Sequence, residues 1–434
     1  MSRVTLSALI IAAALAGCGT GGDGGAPLEP VPPEPVTDLP RALSASEVAV
    51  VEASNGFGLE LAARTVATDP RVNAVLSPVS ASMALGMTLN GAAGETFDAM
   101  RSALGFGTLT QEQINAAYRG LMDFLAELDP DVRVEIANAV WANEAVPFDE
   151  AFSQTVAASF DARVESLDFA DYAAPIAINE WVKQRTDGMI DQIVDRLDPS
   201  LVMLLTNAVY FDGAWTTEFD PAETRSGTFQ RHDGTTLEVD MMSIGNIEVL
   251  QTRGDSYTAV ELPYGNEAFS MVIVLPDTGE NAKDWLTALD ANRWTALVEG
   301  LAPTRLDLLS IPKLTLTFDA FLNDPLKAMG MGPAFSPGAD FTRLSPLGQQ
   351  MCIDVVRQKT HVEVDERGTR AAAATSVGIG VVSFNGFVAD RPFVFVIRER
   401  VSGTVLFVGL VGDPTAEDSG PQPLVSDCTG TTVP

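Results

Sequence analysis

The chain has 434 residues, and its 46% hydrophobic content is enough to build a sizeable core. Its 58 acidic residues outnumber its 27 basic residues, which gives a formal net charge of -31 at pH 7. A field of that sign repels phosphate backbones and anionic headgroups, so the composition excludes nucleic acid and anionic lipid surfaces as binding partners.

The first residues have the pattern of a secretory signal. Arg3 is followed by the apolar run VTLSALIIAAALA, which is too short to span a bilayer. The run ends in LAGC, which resembles the bacterial lipobox, in which the cysteine is acylated and becomes the mature N-terminus. We therefore predict a lipoprotein signal peptide over residues 1–17 and lipid attachment at Cys18. The alternative is an ordinary secretory signal with an unrelated cysteine.

Residues 18–45 are Gly-rich and then Pro-rich, a composition that cannot form a core and predicts a tether. The protein is therefore expected outside the cytoplasm, either lipid-anchored to a bacterial cell envelope, at the outer membrane or cell surface, or secreted. No aspartate follows Cys18 directly. Among bacterial lipoproteins this is typical of those sorted to the outer membrane, so we expect that location in a cell that has one.

Residues 46–415 show no linker, repeat or change of composition, so we predict one domain there and a polar C-terminal tail over 416–434. Helical patterns dominate the first third of the domain. Ser77 and Pro78 predict a capped helix start, and Gly91 predicts the end of that helix. Further helices are predicted over GETFDAMRSAL and QEQINAAYRGLMDFLAEL, where apolar residues recur three and four positions apart.

Strand patterns follow in the rest of the domain. The β-branched or strongly apolar runs are VRVEIANAVWA, LVMLLTNAVYF, YTAVELPY, FSMVIVLP and RLDLLSIPKLTLTF. A closing hairpin, RPFVFVIRER and GTVLFVGLV, is apolar enough to be buried on both faces. Helices followed by mostly antiparallel strands predict an α+β fold.

The chain lacks the residue patterns of catalysis. His232 lies in a predicted hairpin turn and His361 in a predicted strand, and we interpret both as structural. There is no G-x-S-x-G, H-E-x-x-H or C-x-x-C motif, and GFGTLT and GFGLEL lack the third glycine of a dinucleotide loop, so both are predicted to be turns. The sequence therefore supports no enzyme activity, no metal site and no cofactor.

Two cysteines remain once Cys18 is assigned to the lipid. Cys352 and Cys428 form an even pair, which in an oxidising envelope permits one disulfide that ties the tail to the domain. Two unpaired thiols are the alternative.

One segment, residues 371–389, carries no charge although 20% of the chain is charged. Read with period two from Thr369, one face is uncharged and becomes more apolar along the segment. After Arg370, the other face is small or polar apart from its last member. Four consecutive alanines and two glycines weaken a strand in a static sheet, so the pattern disfavours an ordinary strand of a static sheet.

Nine stretches in a fixed order carry a resemblance to a known family: NAVLSPVSASMALGMTLNGAAGET, IANAVWAN, INEWVKQRTDGMI, LLTNAVYFDGAW, ELPYGNEAFSMVIVLP, LKAMGMGPAF, VEVDERGTRAAAATS, DRPFVFVIRER and VLFVGLVGDP. Over about residues 56–414 the chain resembles the serpins. The resemblance implies the serpin fold, with helices packed on large, mostly antiparallel β-sheets and an exposed reactive loop. It also implies a monomeric suicide inhibitor. A serine protease cuts the loop, whose N-terminal part then inserts into the large sheet and drags the acylated protease with it.

The resemblance also assigns the parts of the reactive loop. Its hinge comprises Glu366, Gly368, Thr369, Ala371, Ala372, Ala373 and Ala374. Arg370 replaces the acidic residue usual in the family, at a position expected to point outward on insertion. The hinge residues are those of inhibitory members.

Family spacing places the reactive bond between Val382 and Ser383, counted forward from the hinge. Counting back from Pro392 suggests the bond between Val381 and Val382 instead. A β-branched residue there fits a small hydrophobic specificity pocket of elastase type. Phe384 would suit a chymotrypsin-like protease if the register differs by two.

Further residues match the family's control of sheet opening. Ser77, Ser80 and Asn207 match a polar cluster beneath the opening, and Trp215 matches the aromatic residue at its top. Gln358 stands where the family usually has histidine, and because glutamine does not titrate, we expect opening to be less sensitive to pH. Basic residues are few in the helices after the first motif, so no glycosaminoglycan-binding activation site is expected.

Two other functions stay open at this point. One is a non-inhibitory serpin-fold binding or structural protein that is cleaved as a simple substrate. The other is cross-class inhibition of a cysteine protease by the same machinery. The hinge favours the serine protease inhibitor.

Overall fold

The computed structural model describes residues 35–36, 40–368 and 385–416. Its α-helices, in chain order, are α1 Ala45–Thr68, α2 Pro78–Leu89, α3 Gly94–Ala103, α4 Gln111–Glu127, α5 Glu150–Phe160, α6 Ala173–Arg185, α7 Ala282–Thr287, α8 Ala291–Glu299 and α9 Asn323–Leu326. Its strands are β1 Ala74–Leu76, β2 Val132–Asn143, β3 Arg163–Leu167, β4 Met203–Gly213, β5 Arg225–Gln230, β6 Thr236–Arg253, β7 Tyr257–Tyr264, β8 Phe269–Pro276, β9 Ala302–Pro312, β10 Leu314–Phe321, β11 Val355–Val364, β12 Gly386–Val388, β13 Phe393–Glu399 and β14 Val405–Val411.

The strands of the described residues form two sheets. A nine-stranded sheet has the order β1-β14-β13-β8-β7-β6-β9-β12, with β5 paired to β6. A five-stranded sheet has the order β10-β11-β4-β2-β3. Most neighbours are antiparallel, but β4 runs parallel to β11, β2 to β3 and β9 to β12. The mixture of helices with mostly antiparallel sheets is the predicted α+β fold.

Helix α2 lies between the two sheets. Every residue from Pro78 to Leu89 is buried, and the helix contacts β14 of the nine-stranded sheet as well as β2 and β4 of the five-stranded sheet. A helix with few polar side chains and no charged ones is enclosed in this way. It therefore joins the cores of the two sheets.

Local sequence explains where the helices begin. At the start of α1 the Ser44 hydroxyl accepts from the Glu47 N–H while the Glu47 carboxylate accepts from the Ser44 N–H, which is a capping box. Helix α2 begins at Pro78 as predicted, but the Ser77 hydroxyl does not cap it. The end of the predicted tether contacts the domain, because the Val36 N–H donates to the Asn266 carbonyl at 2.7 Å.

Besides the Ser77 cap, two predicted elements were wrong. GFGLEL, which starts at Gly56, lies inside α1 and is not a turn. A β-carbon at Gly58 would lie 2.0 Å from the Pro78 side chain, so glycine here permits the close approach of α1 to α2. The run RLDLLSIPKLTLTF is divided at Lys313 into β9 and β10, which belong to different sheets.

The remaining predicted elements appear where expected. The closing hairpin forms β13 and β14, whose residues are all buried, while His232 lies in a turn and His361 in β11. No helix among the described residues has both the length and the apolarity needed to cross a membrane. Cys352 is completely buried and disulfide-bonded. Its predicted partner, Cys428, and the predicted lipid site, Cys18, lie outside the described residues.

Strands β10 and β11 are joined by a buried ion pair. The Arg357 guanidinium donates to both carboxylate oxygens of Asp319, at 2.7 and 2.5 Å, and both residues are buried. The guanidinium also lies 5.3 Å from the centre of the Phe321 ring. The two strands therefore behave as one unit.

We expect Asp319→Asn to lower the free energy of unfolding by about 3–5 kcal/mol, because it leaves the Arg357 charge buried without its anion. Chemical denaturation measures the loss. The double variant Asp319→Leu, Arg357→Met removes both charges, and it should recover most of the stability. A double variant no more stable than the single one would contradict this account of the pair.

Candidate functional site

A seam between two parallel strands runs through the middle of the five-stranded sheet. Strands β4 and β11 pair over six positions, from Leu204 with Val355 to Val209 with Thr360. Both strands continue for four residues beyond that point. In the described part of the chain, their next paired position is the antiparallel bridge between Ala214 and Gly368. The seam is therefore closed by a short ladder at one end and by separate contacts at the other.

A row of three buried amides crosses the seam. Gln358 on β11 lies opposite Asn207 on β4, which in turn lies opposite Asn138 on β2. The Gln358 amide donates to Asn207 Oδ1 at 3.3 Å, and the Asn207 amide donates to Asn138 Oδ1 at 2.8 Å. These bonds link strands on both sides of the seam.

Residues at the start of α2 form hydrogen bonds with this row of amides. The Ser77 N–H donates to Gln358 Oε1 at 2.9 Å, and the Gln358 amide donates to the Ser77 carbonyl at 3.0 Å. The Ser80 hydroxyl donates to Asn207 Oδ1, and the Asn207 amide donates to the Ser80 carbonyl at 3.2 Å. The structure thus brings together four of the predicted residues: Ser77, Ser80, Asn207 and Gln358.

Asn138 is a member of this cluster that the sequence analysis missed. It is completely buried, and it lies in a strand whose neighbours are mostly apolar. A polar residue within an apolar strand was the signal that could have identified it, because buried polar groups need a partner.

A titratable group lies on the same strand as Gln358. His361 on β11 is partly buried, and its Nδ1 lies 2.9 Å from the Thr317 hydroxyl. Burial lowers the pKa of its imidazole, with Glu363 opposing the effect and Lys359 adding to it. Because the folded state disfavours the charged ring, this residue contributes stability that is lost as the pH falls below about 6.5. Strand β11 therefore carries a pH-sensitive residue, His361, just beyond the paired part of the seam, even though Gln358 does not titrate.

The upper end of the seam is closed around Trp215, which lies two residues after β4. Its N–H donates to the Arg367 carbonyl at 2.6 Å, and its indole N–H donates to the Asp365 carbonyl at 3.0 Å. The indole stacks on Tyr264 with ring centroids 4.3 Å apart. Trp215 therefore lies apart from the amide row and holds the chain that leaves β11.

Glu366 is bound on several sides next to Trp215. Its carboxylate accepts from Thr224 Oγ1 at 2.8 Å and pairs with Lys313 Nζ at 2.8 Å, while its carbonyl accepts from the Phe219 N–H at 2.7 Å. Burial raises the pKa of the Glu366 carboxyl, but the bonds from Lys313 and Thr224 outweigh it, and the pKa lies below its usual range. The carboxylate is thus held in its charged form at neutral pH. We name the contacts of Trp215 and Glu366 the upper latch.

Gly368 closes the latch with a backbone that only glycine tolerates. Its φ is 142°, and a β-carbon there would lie 2.2 Å from the Gly213 carbonyl oxygen. The glycine lets the chain leave β11 in contact with the end of β4. Two of the predicted hinge residues, Glu366 and Gly368, therefore belong to the latch.

The segment after the latch reappears at the other sheet. The Asn385 N–H donates to Asp307 Oδ2 at 2.8 Å, and its side-chain amide donates to the Arg305 carbonyl at 2.9 Å. Strand β12 then pairs with β9 at the edge of the nine-stranded sheet. The remaining predicted positions lie outside the described residues: the hinge residues Thr369, Ala371, Ala372, Ala373 and Ala374, and the reactive bond between Val382 and Ser383.

Comparison with known proteins identifies the family. The family model described as "Serpin (serine protease inhibitor)" matches residues 52–414. The chain belongs to the serpin family. The family includes inhibitory members, and its name describes protease inhibitors rather than catalytic enzymes.

Similar serpins come from distant sources. Serpin-ZXA of Oryza sativa subsp. japonica is 34% identical over 361 residues, which cover 79% of this chain and 90% of the rice protein. Leukocyte elastase inhibitor of Sus scrofa is 32% identical over 387 residues, or 83% of this chain and 98% of that protein. The crystal structure of a thermophilic serpin, tengpin, in the native state is 31% identical, with a TM-score of 0.78, and the match covers 88% of this chain and 97% of tengpin. The serpin fold predicted from the sequence is confirmed.

No group of three His, Cys, Asp or Glu side chains in the described ranges could hold a metal ion.

We expect Lys313→Gln to lower the free energy of unfolding of this serpin by about 1–2 kcal/mol, because it removes a charge-assisted bond to Glu366, whose side chain is 10% exposed. Thermal unfolding measures the loss. Lys183→Gln is the matched control, since the pair of Lys183 with Asp191 is exposed on both sides, and it should leave the melting temperature unchanged. Equal losses of thermal stability in the two variants would show that the upper latch does not stabilise the fold.

Proposed function

We propose that this serpin is a suicide inhibitor of serine proteases and that its cleaved loop inserts between β4 and β11. The observation that carries the proposal is the direction of the two strands at the seam. The chain leaves β11 at Gly368, bound to the end of β4. A strand that turns back from that point runs antiparallel to β11, and because β4 is parallel to β11, it runs antiparallel to β4 as well.

Insertion exchanges one kind of pairing for another. The seam loses six parallel pairs, and the inserted strand gains an antiparallel neighbour on each side. Antiparallel pairing is slightly more stable per residue than parallel pairing. The expanded sheet is therefore more stable than the closed one, and the closed form is held by the amide row and the upper latch.

The loop sequence is suited to this movement. Under the period-two alternation, Ala373 turns toward the core on insertion and its neighbour Ala372 turns toward solvent. Small side chains at both positions pass between the separated strands without steric obstruction. The start of the loop is held by Glu366 and Gly368, so insertion begins at a defined point.

An elastase-like protease is the proposed target. Val382 before the reactive bond is β-branched and uncharged, which suits a small hydrophobic specificity pocket. The similar protein from Sus scrofa is named an elastase inhibitor, which supports the same class. Phe384 gives chymotrypsin-like proteases as the second class to test.

The deciding experiment mixes the serpin with a panel of serine and cysteine proteases and separates the products under denaturing conditions. A covalent band at the summed mass with an elastase-like serine protease supports the proposal. The same band only with a cysteine protease establishes cross-class inhibition. Cleaved serpin without such a band, for every protease, shows a simple substrate and overturns the proposal.

We expect Ala373→Glu to convert the inhibitor into a substrate, while Ala372→Glu keeps most of the inhibition. Burying the inward carboxylate costs about 3 kcal/mol, which slows insertion about 100-fold relative to deacylation. The measurement is the number of serpin molecules consumed per protease trapped, for both variants against one elastase-like enzyme. Equal values for the two variants would refute the proposed inward and outward faces.

We further propose that the protein is a bacterial lipoprotein anchored through Cys18, with residues 18–45 as its tether. The LAGC motif after a short apolar run supports this. We expect Cys18→Ser to move the protein from the membrane fraction to the soluble fraction of the cell envelope. Cys428→Ser is the matched control and should not change the distribution. Unchanged membrane association of Cys18→Ser would disprove the anchor.

A further inference from the structure

A buried carboxyl group closes the lower end of the seam, opposite the upper latch. Asp354 lies directly before β11 and is completely buried. Its Oδ2 accepts from the Val202 N–H at 2.8 Å and from the Met203 N–H at 3.4 Å, at the start of β4. The last ladder position at this end pairs Val355 with Leu204. The Asp354 side chain therefore continues the contact across the seam one position beyond the ladder.

The backbone around Asp354 is held from the side of β10. Asn323, the first residue of α9, is buried close after the end of β10. Its side-chain amide donates to the Asp354 carbonyl at 2.7 Å, and its Oδ1 accepts from the Val356 N–H at 2.8 Å. The main chain of Asp354 is thus bonded to one half of the sheet, while its side chain is bonded to the other half.

The start of β4 is in turn held by the end of β2. Asn143, the last residue of β2, donates its N–H to the Val202 carbonyl at 3.0 Å. Its side-chain amide donates to the Pro199 carbonyl at 3.1 Å. We name the contacts of Asn323, Asp354, Val202 and Asn143 the lower clasp. The lower clasp joins both halves of the sheet at the end of the seam farthest from the upper latch.

Two bridges fix the distance from the upper latch to the lower clasp. Gly368 is bridged to Asp365 on the side of β11 and to Ala214 on the side of β4. Asp354 lies 11 residues before Asp365. Met203 likewise lies 11 residues before Ala214. A strand that starts at Gly368 and runs antiparallel to both neighbours therefore reaches the clasp with the same residue, its eleventh, on either side.

We propose that Asp354 is a positioning residue that keeps the lower end of the seam closed until the last stage of insertion. The inference rests on the proposed insertion between β4 and β11. The proposed reactive bond follows Val382, which lies 14 residues after Gly368. The residues before the eleventh can pair while the clasp is closed. The eleventh residue and those after it require the bonds from Val202 and Met203 to Asp354 to break.

The lower clasp thereby separates partial opening of the seam from complete opening. Before cleavage the loop is held at both ends, at Gly368 and at Asn385, and the closed clasp keeps the lower ends of β4 and β11 together. Complete insertion takes the Val202 and Met203 donors away from a carboxyl group inside the protein, and such a loss is costly. The clasp therefore stabilises the intact form and does not stabilise the fully inserted form.

The test compares the intact serpin with the same full-length protein cut in its loop by limited proteolysis. Mass spectrometry establishes that the cut lies beyond the eleventh residue after Gly368. We expect Asp354→Ala to lower the melting temperature of the intact form by about 5 °C, because two backbone N–H groups lose their acceptor. The cut form should lose much less, because insertion has already broken these bonds. Asp354→Asn keeps one acceptor oxygen and should recover part of the loss in the intact form.

Asp319→Asn is the matched control. Asp319 is also a buried aspartate, but its partner Arg357 lies on β11, which stays paired with β10 in both forms. This variant should therefore lower the melting temperatures of the intact and cut forms alike.

Two outcomes would overturn the inference, and they differ in what they say about insertion. Equal losses in the intact and cut forms of Asp354→Ala would show that Asp354 has only a structural role, while insertion itself would stand. A wild-type protein that melts at the same temperature before and after the cut would show that insertion does not occur. If Asp354→Ala does not fold, Asp354→Asn gives the same comparison, and equal losses in its two forms again overturn the clasp.

Discussion

The short parallel ladder between β4 and β11 is the contact on which the rest of the five-stranded sheet depends. It joins the unit of β10 and β11, locked by a buried ion pair, to the unit of β4, β2 and β3. Six positions are few for two strands of ten and eleven residues. The sheet therefore consists of two well-paired halves joined by a shorter ladder. The amide row and the upper latch supply much of the remaining contact between the two halves.

These two sets of contacts differ in chemistry. The amide row is neutral and buried, and each of its members has partners on α2 or on the adjacent strand, so separating the strands leaves several polar groups unsatisfied at once. The latch combines an ion pair, a stacked indole and a glycine with positive φ. The row resists any opening of the seam, while the latch fixes the place where the loop begins.

The sequence predicted much of this arrangement, because the family motifs occur in order and several carry site residues. Ser77, Ser80, Asn207 and Gln358 were all named from those motifs. Asn138 and Lys313 were not, since their roles come from strand neighbours and from contacts between residues more than fifty positions apart. Hydrophobic periodicity predicts which face of a strand is buried, but it does not predict which strand pairs with it.

The same limit explains the two errors in the predicted elements. The glycines of GFGLEL look like a turn until the close contact of Gly58 with Pro78 is known. The run RLDLLSIPKLTLTF has one continuous strand pattern, although the chain passes from one sheet to the other at Lys313. In both cases the deciding partner is distant in sequence.

The position of the last two strands has a consequence for biosynthesis. Strand β13 lies between β14 and β8, and β14 lies between β13 and β1, so the strands made last occupy the interior of the nine-stranded sheet. Strand β1, made near the start of the domain, has no described sheet partner other than β14. The nascent chain cannot complete this sheet until its C-terminal region has left the ribosome. During translation the polypeptide therefore stays in an incompletely folded state until its last two strands are available.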